Sequence, residues 1–81
     1  MDELQYERLT TLTLPLGAKA AGRTVDSFVL GALEVRMVSL RRSNGKVVEV
    51  RDDTLLEGGD TLVLSGKAEA LAMAEQKLLK T

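Results

Sequence analysis

The sequence predicts an α+β domain in which a strand, a short helix, three further strands and a closing helix build an antiparallel sheet with helices on one face. Three observations lead there. Short stretches of alternating apolar residues recur along the chain, an Asn-Gly pair separates two of them, and the C-terminal segment repeats its apolar residues at helical spacing. At 81 residues and 8.8 kDa there is room for one domain and little more.

Residues 1–8 are charged without an apolar period and read as a linker or the end of a preceding helix, which leaves residues 9–81 for the domain. Leu12, Leu14 and Leu16 alternate with Thr13 and Pro15, predicting a half-buried strand over 9–14; Pro15 has no N–H for a ladder and closes it. GAKAAG, residues 17–22, is a connection between glycines. Thr24 is placed as the N-cap of a short helix, with Asp26 in the first turn, Val25, Phe28 and Val29 on one face, and Gly31 at its end.

Residues 34–42 form the next strand. Its apolar residues fall on both faces, Val35 and Met37 on one and Val38 and Leu40 on the other, as expected of a central strand or one facing a partner subunit. Asn44-Gly45 predicts a type I′ hairpin turn into a strand over 46–50. A turn-rich connection with Gly58-Gly59 leads to the last strand, 61–65, with Leu62 and Leu64 inward and Asp60 capping local amides at its entry. The helix over 67–80 carries Ala68, Leu71, Ala72, Leu78 and Leu79 on one stripe, with Glu75 at the remaining position and Lys77 and Lys80 suited to its C-terminal dipole.

Composition narrows the chemistry. There is no His, Cys or Trp, so Cys/His zinc sites, disulfides, Cys–His pairs and Ser–His–Asp triads are excluded. Tyr6 and Phe28 are the only aromatics, too few for a base-stacking platform. Eleven basic and twelve acidic residues give a net charge of −1, which provides no bulk attraction to nucleic acid. No apolar run approaches a bilayer span, and the polar, acidic start MDELQYER is unlike a secretory leader; a cytoplasmic setting is expected. A chain this short buries only about 60% of its unfolded surface, and with no disulfide or Cys/His metal staple the expected reinforcement is a homodimer.

Four features bear on function. Arg36, Arg41, Arg42, Lys46 and Arg51, opposed only by Glu49 among residues 36–51, could hold an anion through guanidinium forks, or could simply solvate a hairpin and discourage edge pairing. Asp52-Asp53 with Glu57 and Asp60 could offer oxygen ligands to a cation but lack EF-hand spacing, and local turn capping explains them as well. GAKAAG satisfies neither the P-loop nor the dinucleotide-binding glycine pattern. EGGDTLVLSG combines a tight reversal with a strand and implies no catalysis. The chain is expected to be non-enzymatic and to need no cofactor.

Taken together, GRTVDSF (22–28), VRMVSLRRSNG (35–45) and TLLEGGDTLVLSG (54–66), followed by an amphipathic helix, resemble the TrkA C-terminal domain, the C-terminal half of the RCK (regulator of K⁺ conductance) module. The matching Gly-Asp stretch is Thr54, Leu56, Gly59, Asp60, Leu62 and Gly66. The resemblance implies a cytoplasmic regulatory and dimerisation domain serving a potassium channel, a potassium uptake system or a cation/proton antiporter of the cell membrane, with ligands at or near the dimer interface. A purely structural dimerisation module without ligand is the alternative. Relatives that bind cyclic di-AMP carry an Asp-apolar-Arg and an Asn-Ile, where this sequence has Val29, Leu30, Gly31 and Arg36-Met37; the key Arg and Asn are unmatched. NAD or ATP binding belongs to the Rossmann half of such modules, which these residues do not form. The residues expected to meet a small anionic ligand such as a nucleotide are Arg36, Met37, Val38, Arg41 and Arg42.

Overall fold

A computed structural model describes residues 7–80, so most of the leader read over 1–8 lies outside the described residues. Four strands, β1 (Arg8–Thr13), β2 (Arg36–Arg41), β3 (Val47–Val48) and β4 (Thr61–Gly66), form one antiparallel sheet in the order β1-β4-β2-β3. One helix, α1 (Ala68–Lys80), closes the chain. The α+β architecture and its element order are those the sequence predicts, with β2 and β4 in the centre of the sheet.

Every residue of β4 has an inner or outer side set by period two. Leu62 and Leu64 are fully buried on the inner face, where β1 presents Thr10 and Leu12 and α1 presents Leu71, Ala74 and Leu78. The helical stripe therefore runs through 71, 74 and 78, while Ala72 and Leu79 face outward, a correction to the predicted stripe. Glu75 keeps a use at its half-buried position, accepting a hydrogen bond from Thr10 Oγ1 at 3.4 Å. Leu14 is buried just past β1, but Leu16 is exposed: the chain turns at Pro15 and the strand alternation stops there.

The two-faced pattern of β2 has a local cause. Met37 pairs with Leu64 and Ser39 with Val63, leaving Val38 as an extra residue in a β-bulge. The bulge shifts the period by one, so Val35, Met37 and Leu40 all enter the core while Val38 stays exposed. Met37 and Leu40, predicted on opposite faces, thus share one.

Two other local expectations are corrected. The short helix predicted over 24–31 is instead a pair of 3-10 turns, Val25–Phe28 and Leu30–Leu33, separated by Val29 in the left-handed region at φ 51°. Four residues per turn are too few to propagate an α-helix. Thr24 stands at the cap position without a side-chain cap bond; its carbonyl accepts one from Ser27 Oγ at 2.6 Å. Gly31 lies inside the second turn, which ends at Glu34, also left-handed at φ 60°.

The hairpin turn is not type I′. Gly45 has φ 88° but Asn44 has no positive φ; Gly45 N–H donates to Arg42 O and Arg42 N–H to Lys46 O, at 2.9 and 2.8 Å. This is the three-residue loop with glycine in the left-handed position, and the returning strand shrinks to Val47–Val48.

Gly58 sits beneath the chain turn after β1, where an added Cβ would lie 2.4 Å from Leu16 O, a backbone atom that cannot step aside. Gly58→Ala is expected to destabilise the domain by about 2–3 kcal/mol in urea unfolding. Gly31→Ala, facing open space, should stay within about 0.5 kcal/mol of the parent. Equal stability of the two variants would contradict the packed reversal.

Candidate functional site

Two polar arrangements stand out, one buried and one open. The buried one centres on Asp60, whose side chain is almost wholly enclosed. Its Oδ2 accepts hydrogen bonds from Arg42 Nη1 at 2.6 Å and from the Glu57 amide at 2.8 Å. Glu57 adds a second, exposed carboxylate 3.5 Å from the same Arg42 nitrogen. Asp60 Oδ1 is buried with no hydrogen-bond partner among the described residues. The capping role predicted for Asp60 is realised by the Glu57 amide, but its pairing with Arg42 was not visible in the sequence. Arg42 is therefore engaged in holding the fold.

The open arrangement is a cleft of about 490 Å³ between the 3-10 turns, the start of β2 and residues 50–52. Its back wall exists because residues 22–26 run alongside 52–56: Val25 N–H donates to Thr54 O, Asp26 N–H to Asp52 O and Leu56 N–H to Arg23 O, all between 2.9 and 3.0 Å. The lining is apolar at Val29, Leu30, Val35 and Met37, and charged at Arg36, Arg51, Asp26 and Asp52. Arg36 makes no ion pair among the described residues, and Arg51 has only an exposed contact with Glu49 at 3.6 Å. Both guanidiniums can turn to a ligand at little cost, since exposed pairs are worth about 0–1 kcal/mol.

Of the five residues predicted to meet a ligand, the cleft brings together Arg36 and Met37. Val38 is bulged out, Arg41 is exposed on the outer sheet face opposite Thr61, and Arg42 lies at the far end of the strand against Asp60. Arg51 belongs to the basic run in the sequence but reaches the cleft only through the crossing of 52–56 with 22–26. The acidic group Asp52, Asp53, Glu57 and Asp60 does not converge: no cluster of three or more such side chains fit for a metal exists among the described residues.

Comparison with known proteins completes this picture. The TrkA-C domain model matches residues 9–79, and the chain belongs to that family. Among solved structures it is similar to the GsuK channel bound to NAD, at TM-score 0.72 and 19% identity, covering 93% of this chain and 14% of that one. The GsuK RCK domain follows at TM-score 0.64 and 20% identity, over 90% of this chain and 17% of that one. An RCK domain with cda gives TM-score 0.66 and 23% identity, over 85% of this chain and 97% of that one. The chain thus spans about one-seventh of the GsuK channel chain and nearly all of the RCK domain with cda. No curated protein matches it. The fold is that of RCK regulatory domains, and among the described residues no helix is long and apolar enough to cross a membrane.

Val29 adopts its left-handed conformation on the cleft rim with its side chain more than half exposed. A non-glycine residue there costs about 1–2 kcal/mol. Val29→Gly is therefore expected to raise the urea midpoint, with a net gain of about 0.5–1 kcal/mol after the extra chain entropy of glycine. A lower midpoint would mean that the valine side chain holds the cleft wall together.

Proposed function

We propose that this chain is a non-enzymatic, homodimeric regulatory domain of a potassium transport or K⁺/H⁺ antiport membrane protein, and that it acts on the cytoplasmic side by sensing a small anionic ligand. The observation that carries the reading is the cleft: a TrkA-C domain presents Arg36 and Arg51 at the mouth of an apolar hollow floored by Met37 and Leu30. A nucleotide suits it, with its base against the apolar wall and its phosphate between the two guanidiniums. Asp26 and Asp52 on the same rim would disfavour a bare anion and favour a ligand that also offers donors. The different residues at 29–31 and 36–37 argue for a ligand other than cyclic di-AMP.

Pairing would use the outer sheet face. The register places Leu9 beside Ser65 and Arg36, and Val47 beside Arg41, on the side away from α1; Leu9, Val38 and Val47 are each about half or more exposed there. A second copy covering this face would relieve the apolar exposure that a domain of this size carries. A ligand that fits one pairing geometry better than another would then bias the transporter by its differential affinity and by no more.

Two measurements test the reading. Light scattering at tens of micromolar should give a dimer, and Val38→Glu should shift it to monomer; a monomeric parent chain would count against the interface. A thermal-shift screen of nucleotides, including NAD, ATP and cyclic di-AMP, should yield a binder whose affinity falls about tenfold in Arg36→Ala, the loss of one charge-assisted contact. Unchanged affinity would remove Arg36 from the site, and a screen without any hit would favour a structural module.

A further inference from the structure

The two edges of the sheet are unlike. The edge at β3 is two residues long, Val47–Val48, between Lys46 and Glu49, and shortness and charge of this kind discourage a further strand. The edge at β1 carries none of those devices over residues 9–13. This stretch is uncharged, contains no proline and keeps an unbroken register with β4, and Leu9, Thr11 and Thr13 are exposed. Such an edge, regular and open, is a template for another strand.

The backbone bonds of Leu14 show which groups that edge offers. Leu14 N–H donates to Asp60 O at 2.8 Å and Leu14 O accepts from Gly59 N–H at 2.9 Å, so both polar groups of this residue face the β4 side. Backbone direction alternates along a strand. Arg8, Thr10 and Leu12 therefore face β4 as well, and Leu9, Thr11 and Thr13 direct their N–H and C=O away from the sheet. Among the described residues nothing bonds to the backbone groups of these three. The stretch also matches its own reverse. An antiparallel copy centred on Thr11 sets Leu9 opposite Thr13, Thr11 opposite Thr11 and Thr10 opposite Leu12. Thr10 and Leu12 then stay on the inner face of both sheets, and every outward group of Leu9, Thr11 and Thr13 is engaged. Arg8, the one charge of β1, falls at opposite ends of the pair, about 20 Å apart, whereas an in-register parallel copy would set the two side by side.

Helix α1 adds apolar surface on the same side. Glu75 meets Thr10 on the inner face, and Ala72 and Leu79, about one turn to either side of Glu75, are exposed on that flank. Leu79 lines a hollow with Pro15, Gly17 and Ala18, just past the end of β1. We propose that β1 is a docking edge for a second copy of this chain, the two β1 strands pairing antiparallel about Thr11 so that the two four-stranded sheets become one. The second copy's helix then lies on the same face of the joined sheet, on the side of this flank. The inference rests on the β1 edge and not on the outer-face pairing, because Leu9, Thr11 and Thr13 bond in the plane of the sheet. A contact this small takes hold above tens of micromolar, or where copies are already held together.

Amide hydrogen exchange followed by NMR on the 81-residue chain tests the pairing. Thr10 and Leu12 are bonded within the sheet and should exchange slowly at any concentration. Leu9, Thr11 and Thr13 should exchange rapidly at about 50 micromolar and about threefold more slowly at about 1 millimolar, since exchange then waits on the unpaired fraction. Thr11→Lys and Thr11→Glu, at an exposed position, each set like charges opposite one another and should abolish that slowing. An equimolar mixture of the two variants should restore it. Val38→Glu should leave the slowing in place, so failure of the outer-face pairing and failure of the edge are read separately. Exchange at Leu9, Thr11 and Thr13 that does not change with concentration would overturn the proposal, whether the edge stays open or the chain covers it itself. Slowing that survives Thr11→Lys, or that the mixture does not restore, would overturn the pairing about Thr11.

Discussion

The carboxylate of Asp60 is the point on which the rest of the domain hangs. It opens β4, the strand that pairs with both β1 and β2. Its backbone carbonyl receives the Leu14 amide, 2.8 Å away, just after β1, and its side chain receives Arg42 just after β2. One residue therefore ties together the exits of both neighbouring strands. A carboxylate can hold this place only while it is paired, because an isolated buried charge costs several kcal/mol. Gly58 and Gly59 belong to the same junction: the first lets Leu16 pass close overhead, and the second turns the chain at φ 86° beside Ser43. The Gly-Gly-Asp segment is thus a packed joint in which residue size, backbone hand and charge are all specified.

From that joint the molecule divides into the sheet and a flanking segment built on two 3-10 turns. The sheet is regular apart from the bulge at Val38, which turns three apolar side chains of β2 and its approach toward one core. Residues 23–34 lie at the sheet's flank with two left-handed non-glycine residues and no complete α-helical turn. Such conformations persist only where the surroundings over-determine them, and here the crossing with residues 52–56 and the bond from Lys77 to Phe28 do so. The Arg36 cleft uses this segment through Val29 and Leu30.

Much of this was legible in the sequence, and the reasons for the rest are local. The alternation of Leu62 and Leu64 and the stop at Pro15 report strands through a period that backbone geometry enforces. The bulge has no such signal: Val35, Met37, Val38 and Leu40 read as two apolar faces until one residue is taken out of register. The apolar spacing of Val25, Phe28 and Val29 resembles a helix because spacing says nothing about whether a four-residue segment can propagate. Asn44-Gly45 marks the hairpin correctly, yet the choice between a two-residue and a three-residue loop depends on how the flanking strands pair. The site was seen in part because Arg36 and Met37 are adjacent, whereas Arg51 joins them through a crossing of distant segments. Arg42 looked like a ligand residue because the sequence shows its charge and hides its partner, eighteen residues away.

The Arg42–Asp60 pair is an energetic unit that holds the strand exits together, and a double-mutant cycle measures it. Urea unfolding of Arg42→Met, Asp60→Asn and the double variant measures their coupling. Arg42→Met alone should cost about 3 kcal/mol because it strands a buried carboxylate, and adding Asp60→Asn should recover about 2 kcal/mol of that loss. Single effects that simply add, within about 0.5 kcal/mol, would show that the two side chains act independently and that the pair does not hold the strand exits as a unit.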